Sequence, residues 1–434
     1  MRIFGSSGVR GVVNTEMTPE LASQIGMAVG GSAESAVIGR DSRTSNDMIH
    51  AAVASGLMAC GCDVYDAGFV TTPTLAEAAR EFDCGVMLTA SHNPPEYAGI
   101  KLWNPDGMGF GVDQSRHVED IVSEGKYSLK PWNLVGRSHS FPDAVERHVD
   151  RIMADAGAAS LKVVVDCANG PGLTITPIVL QQMGCRVVTI NSNPDGHFPG
   201  RMPEPVDENL GDLKAAVVSM KADLGIAHDG DADRTVAVDD KGQLLAGDQL
   251  LALFAKRYAK EKIVVTVDAS MVVDDYVGAD VVRTPVGDVF VSEEVKKTGA
   301  DFGGEPSGTW IFPDQTYCPD GILAAARIVE IAAETKLSEL RKNIPRYPTL
   351  RSAVGYDSAR KNAVFDLLRI GMTSVECQAL VTLDGYRHQF EDGWTLVRPS
   401  GTEPKIRIMA EARDASRAEQ LLKSMEDIVR RCVE

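Results

Sequence analysis

Long apolar runs are missing from this chain. No stretch approaches the roughly eighteen residues that a membrane helix requires, and the first residues, Met1-Arg-Ile-Phe-Gly-Ser-Ser-Gly8, lack the apolar core of a signal peptide. The expected location is the cytoplasm. Paired cysteines are missing too: eight are scattered without a CxxC, and Cys60 and Cys62, flanking Gly61, fit neither a zinc knuckle nor a disulfide framework. Buried free thiols are expected. A net positive charge is also absent. The formal charge of −17 argues against general attraction to nucleic acid or an anionic membrane, and leaves room only for a local basic pocket that takes a small anion. There is no P-loop, Gly107-Met-Gly109 lacks dinucleotide spacing, and Ser91 has Thr89 and Asn93 where a hydrolase elbow needs glycines.

What is present is enough chain for about three domains, give or take one, at an ordinary hydrophobic content of 44%. A weak internal repeat organises it. The β-rich runs Ala36 to Arg43, Lys162 to Gly170 and Lys262 to Ser270 each end in polar turn residues and lead into a helical stretch. Each is followed by a second run that opens into a Gly-rich or polar loop: Thr89 to Pro94, Asp229 to Arg234, and Gly303 to Gly308. Apolar β-branched runs alternating with helices indicate βαβ units with mixed, largely parallel sheets. Ligands of such sheets gather at the carboxyl ends of the strands, so three copies would turn three loops toward one cleft. The remaining residues change character. Short runs near Leu380, Tyr386, Trp394 and Lys405, then a helix with Leu421, Leu422, Met425, Ile428, Val429 and Cys432 on one face, give a smaller α+β unit. The expected division is 1–142, 143–241, 242–348 and 349–434, with joints near Phe141-Pro-Asp143, Asp239 to Gly242, and Pro345 to Pro348.

Asp229-Gly-Asp231-Ala-Asp233-Arg234 carries a carboxylate at every second position. Alternation is the period of extended chain, so the three side chains can converge on one hard ion. A solvated acidic turn is the bland alternative. An EF-hand is excluded, because Arg234 takes the place of the required sixth-position Gly and Asp240 that of the twelfth-position Glu. Mg²⁺ fits best, and it normally keeps one or two carboxylates plus a phosphate oxygen. Thr89-Ala-Ser91-His-Asn-Pro94 is where that phosphate can sit. The segment reads as an ordinary turn by itself, but a phosphoryl group on Ser91 would supply the ligand that Asp229, Asp231 and Asp233 leave vacant.

Three further loops add to the picture. Arg398-Pro-Ser400-Gly401-Thr402-Glu-Pro-Lys405-Ile-Arg407 concentrates hydroxyls and three cations in an acidic chain, as a phosphate nest would. Gly303-Gly-Glu305-Pro-Ser307-Gly308 offers a carboxylate and a hydroxyl on a flexible support, suited to sugar hydroxyls. Arg10, in a Gly- and Ser-rich start, and Lys101, ten residues beyond Ser91, are cations that read either as solvated charges or as site groups.

With these four loops in this order, the chain resembles the α-D-phosphohexomutases from Phe4 to the last helix. The resemblance implies three similar α/β domains plus a smaller carboxy-terminal domain, heart-shaped around a central cleft. It also implies a reversible double phosphoryl transfer between hexose 6-phosphate and hexose 1-phosphate through a 1,6-bisphosphate. Phospho-Ser91 would be the donor, Asp229, Asp231 and Asp233 would hold Mg²⁺ against it, and Arg10, His92 and Lys101 would steady the transferring group or exchange protons. Glu305 and Ser307 would hold the sugar. Arg398, Ser400, Gly401, Thr402 and Arg407 would hold the phosphate that is not reacting. The partners implied are small hexose phosphates, with no nucleic acid and no membrane, and a monomer or homodimer. Many relatives carry His two residues after the sugar-loop Ser; here it is Thr309, so a relay role passes to another group, such as Arg10 or Lys101.

The wording at 166–170 and 398–404 most resembles the phosphoglucosamine mutases, and that at 304–310 is similar to their archaeal branch. It implies glucosamine 6-phosphate and glucosamine 1-phosphate, on the route to UDP-N-acetylglucosamine. A phosphomannomutase/phosphoglucomutase of broad specificity is the alternative. A phosphoserine-based sugar phosphatase and a non-catalytic sugar-phosphate binder stand further off.

Overall fold

The computed structural model describes residues 3–5, 7–245, 247–400 and 403–434. Its strands form four sheets, of seven, four, four and five strands. The first three repeat one arrangement. A central strand, Ser35–Arg40, Lys162–Asp166 or Lys262–Thr266, runs parallel to a neighbour on each side. On one side that neighbour, Cys84–Leu88, Leu224–His228 or Phe302–Glu305, turns back into an antiparallel strand. Central strands read as continuous Val and Ile runs because both faces are covered: Val163, Val164 and Val165 are wholly buried, as are Ile263, Val264 and Val265. The mixed, largely parallel sheets expected from the sequence are thus parallel at their centres, each with an antiparallel flank.

Cores differ in how they are shared. The second and third sheets and their helices contribute to one large apolar cluster, running from Val149 to Ile344. The first sheet keeps its own cluster, built from helices Pro19–Gly30 and Asn46–Ala59 against Ile38 and Val86. Gly26 and Gly56 bring those helices together so closely that a Cβ at either would meet the other backbone within 2.4 Å. The fifth-to-last strand, Thr349–Gly355, opens an all-antiparallel sheet covered by helix Ala415–Val433, which buries Ala418, Leu421, Met425, Val429 and Cys432. A small cluster, Val267, Met271, Trp394 and Leu396, joins this sheet to the third. Seven of the eight cysteines are buried and all are free. No helix among the described residues is long and apolar enough to cross a membrane.

Candidate active site

Each of the three expected loops is the connection between the third strand of a repeat and its antiparallel partner. Ser91 follows Cys84–Leu88, Asp229 follows Leu224–His228, and Ser307 follows Phe302–Glu305. Equivalent positions in three similar sheets therefore meet, and a cavity of about 700 Å³ is lined by Arg10, Ser91, His92, Asp233, Glu305 and Thr309, among others. A larger hollow of about 840 Å³ lies between Glu376 and Arg417 in the last sheet and touches none of these groups.

At the centre, the Ser91 hydroxyl donates to Asp229 Oδ2 at 2.7 Å. One oxygen from each of Asp229, Asp231 and Asp233 lies within 4.8 Å of the others, and all three residues are buried. The convergence has a different cause from the one the sequence suggested. Asp229 to Asp233 is a tight turn, not extended chain, and it closes because Ala232 takes a left-handed φ of 58°. Ser91 is likewise left-handed, at φ 51°, a conformation that costs energy for any residue with a Cβ and projects its hydroxyl out of the strand direction. Gly230 lets the two loops touch: a Cβ there would stand 2.5 Å from the Ser91 carbonyl oxygen.

Lys101 answers the repulsion among these carboxylates. Its ammonium donates to Asp231 Oδ2 at 3.0 Å and Asp233 Oδ2 at 2.6 Å, and although burial disfavours its charge, these two partners raise its pKa above the ordinary lysine value. Thr72 adds a hydroxyl donor to Asp231 at 2.6 Å. Asp229, without a lysine, is pushed well above the usual carboxylate range by burial and then by Asp231 and Asp233. Asp231 Oδ1 is buried and has no hydrogen-bond partner among the described residues. An all-oxygen set with an orphaned acceptor fits a hard divalent cation, which would relieve the same repulsion. The carboxylate triad and Ser91 are the residues able to hold one.

His92 stands beside the serine. Burial, with Arg234 and Arg10 nearby, holds the imidazole down to about 2, so it is neutral, with Nδ1 3.3 Å from the Ser91 hydroxyl. Arg10 donates to Asn93 Oδ1 at 2.8 Å, which fixes it across the serine loop. Glu305 accepts from the Gly287 amide at 2.7 Å and from Ser307 Oγ at 3.0 Å, and burial, then Asp288 and Asp268, raise it to about 7. The Thr309 hydroxyl sits 3.1 Å from Ser307 Oγ. The support is a hairpin of paired strands, Phe302–Glu305 and Thr309–Ile311, rather than a flexible loop.

The basic loop stands apart from the serine. Arg398, Lys405 and Arg407, with Arg351 and Asp268, line a separate hollow of about 390 Å³ between the third and fourth sheets. Arg398 pairs with Asp384 at 3.2 Å, and Asp384 accepts from the Val286 amide at 3.3 Å, which ties this loop to the cleft rim. Arg407 is half-exposed and pairs with Glu403 at 3.7 Å. Arg398 Nε and Ser400 Oγ are buried without partners among the described residues, as donors awaiting an anion would be. Gly401 and Thr402 lie outside the described residues. Arg43, Asp288 and Arg351 were not singled out from the sequence, and Arg234 was read only as the end of the aspartate motif. Asp41-Ser-Arg43 was visible only as a polar strand end, and Asp288 and Arg351 stand in no motif.

The fold and this constellation define a class. Residues 1–128, 140–242 and 246–347 match the phosphoglucomutase/phosphomannomutase alpha/beta/alpha domains I, II and III, and residues 357–428 match the C-terminal domain. The chain belongs to the phosphoglucomutase/phosphomannomutase family, whose members are mutases and hence isomerases. Among its relatives is a curated protein of Methanosarcina acetivorans named probable phosphoglucosamine mutase, 52% identical, with 99% of each chain covered. The crystal structure of a phosphoglucomutase/phosphomannomutase family protein from Burkholderia thailandensis superposes with a TM-score of 0.89 at 28% identity, covering 99% of this chain and 97% of that one. Aspergillus fumigatus N-acetylphosphoglucosamine mutase, solved with GlcNAc-6P and magnesium, shares the fold at a TM-score of 0.59 and 16% identity, with 99% and 96% covered.

Proposed function

We propose that the protein interconverts glucosamine 6-phosphate and glucosamine 1-phosphate by way of phospho-Ser91, with its four units dividing near 142, 241 and 348. The observation that carries this is the 2.7 Å contact between the Ser91 hydroxyl and Asp229 inside a buried carboxylate triad that opens on the cleft. The phosphoryl group passes from Ser91 Oγ to the free hydroxyl of the sugar phosphate, giving a hexose 1,6-bisphosphate. That bisphosphate turns over, and its other phosphoryl group returns to Ser91, releasing the isomer. Mg²⁺, bound by Asp229, Asp231, Asp233 and the serine phosphate, would supply electrostatic stabilisation of the transferring group. Arg10 and Lys101 contribute fixed positive charge at the same place, which a loose phosphoryl transition state needs more than covalent assistance. Neutral His92 can donate or accept one hydrogen bond at Ser91 Oγ and so orient it. Glu305 and Ser307 hold sugar hydroxyls, and Arg398, Ser400, Gly401, Thr402 and Arg407 hold the idle phosphate.

The names borne by relatives near 50% identity support the amino sugar. The broad phosphomannomutase/phosphoglucomutase reading uses the same chemistry and differs in contacts around Glu305 to Thr309. The test is a side-by-side rate comparison on glucosamine 1-phosphate, mannose 1-phosphate and glucose 1-phosphate, each started with its bisphosphate. A preference for glucosamine is expected, and a preference for either neutral sugar refutes it. Ser91→Ala should abolish turnover on all three while leaving sugar-phosphate binding; normal rates in a clean preparation would sink the mechanism.

A further inference from the structure

Arg43 is buried, 3% exposed, and spends every donor it has. Its Nη2 donates to the carbonyls of Ser91 at 2.9 Å and Asn93 at 2.6 Å, and Nη1 to those of Pro94 at 2.6 Å and Tyr97 at 2.9 Å. Nε faces Asp41 Oδ2 at 3.3 Å. Asp41 also accepts from Thr89 Oγ1 at 2.6 Å, and that oxygen accepts from the Ser91 amide at 2.8 Å. The guanidinium thus gathers four carbonyls of the serine loop, a pattern that lysine's three mobile hydrogens cannot reproduce. What covers it comes from the second repeat. The Phe198 ring lies 5.2 Å from the guanidinium carbon, on a backbone at φ 53°, and Gly196 presses so close that a Cβ there would meet Ser42 O at 2.4 Å. Three residues beyond Phe198, Arg201 pairs with Asp166 at 2.8 Å and donates to the His228 carbonyl at 2.6 Å, next to Asp229.

We propose that the segment from Gly196 to Arg201 is a brace that sets the distance between the serine loop and the aspartate loop, with Arg43 and Phe198 as positioning residues for Ser91. One end holds Arg43, which shapes the serine loop; the other holds the carbonyl from which the aspartate turn starts. The role in turnover rests on the reaction proposed above, whereas the brace itself does not. The experiment is therefore read in two ways on Arg43→Lys, Phe198→Leu and Phe198→Tyr. In hydrogen exchange of the full chain, amides of residues 89–97 should lose protection in Arg43→Lys and Phe198→Leu and recover in Phe198→Tyr, which keeps the ring; unchanged protection in both overturns the brace. In steady-state kinetics, Phe198→Leu should lower kcat about tenfold with KM for the sugar phosphate nearly unchanged, because misplacement of a reacting group acts on the transfer step. A normal kcat, or a loss that Phe198→Tyr does not restore, overturns the positioning role. Lost protection in a protein whose wild type isomerises no hexose phosphate supports the brace and refutes the reaction. If Arg43→Lys does not fold, the two Phe198 variants decide.

Discussion

Gly230→Ala tests whether the contact between two loops limits the reaction. The added Cβ would stand 2.5 Å from the Ser91 carbonyl oxygen and 3.4 Å from Pro203 Cβ. Ordinary contact starts near 3.4 Å, so the serine loop and the aspartate turn must part by about 0.9 Å, the difference between the two distances. Gly230 is not among the glycines at positive φ, so alanine adds no backbone strain and the effect is one of spacing. A misplacement near 1 Å costs on the order of 10²-fold in rate, or roughly 2.7 kcal/mol of transition-state stabilisation. Overpacking should also lower stability by about 1–3 kcal/mol. The assay is conversion of hexose 1-phosphate to 6-phosphate at saturating Mg²⁺ and bisphosphate, below the melting temperature of the variant. Gly211→Ala is the control, since nothing lies within 4 Å of the Cβ it adds. A Gly230→Ala enzyme with kcat within about threefold of wild type would refute the spacing argument, because that is far from the 10²-fold expected of a shift this size.

Two more outcomes follow from the electrostatics. Lys101→Met leaves Asp231 and Asp233 buried without their ammonium, which should cost about 3–5 kcal/mol, and millimolar Mg²⁺ should then raise the melting temperature more than it does in wild type; equal shifts in the two proteins would show that ammonium and cation do not serve the same oxygens. Glu305, raised to about 7 from an ordinary 4.5, keeps its proton in the folded state after the unfolded chain has lost it, so its contribution is complete below pH 4.5 and is lost as pH rises toward 7. Glu305→Gln should flatten that part of the melting-temperature profile, and an unaltered slope between pH 4.5 and 7 would contradict the assignment.

The repeat was legible because burial on both faces demands unbroken Val and Ile runs, and Val163 to Val165 and Ile263 to Val265 supply them. The loops were legible because their chemistry is dense: three carboxylates in five residues, and three cations in an acidic chain. What could not be read was how backbone turns these groups. Alternating aspartates suggest extended chain, whereas the left-handed Ala232 makes a turn that no local residue preference announces. The protonation of His92 was not legible either, because it is set by burial and then by Arg234 and Arg10, which are far from it in the chain and close in space. Arg43 and Phe198 escaped notice for the same reason, since neither has meaning until two repeats are folded against each other.

The unequal sharing of apolar cores bears on how this enzyme could be rebuilt. The second and third sheets draw on one cluster and cannot be parted without exposing it, while the last sheet keeps its own interior and meets the third through Val267, Met271, Trp394 and Leu396, with Arg387 donating to the Val267 carbonyl and the Met271 amide to Glu411. Residues 349–434 thus share less apolar core with the rest of the chain than the second and third sheets share with each other. On the proposed reaction, Arg398 and Arg407 on this unit receive the idle phosphate while Ser91 and its aspartates lie outside it, so a graft at Pro345 to Pro348 is expected to change phosphate recognition before it changes the donor.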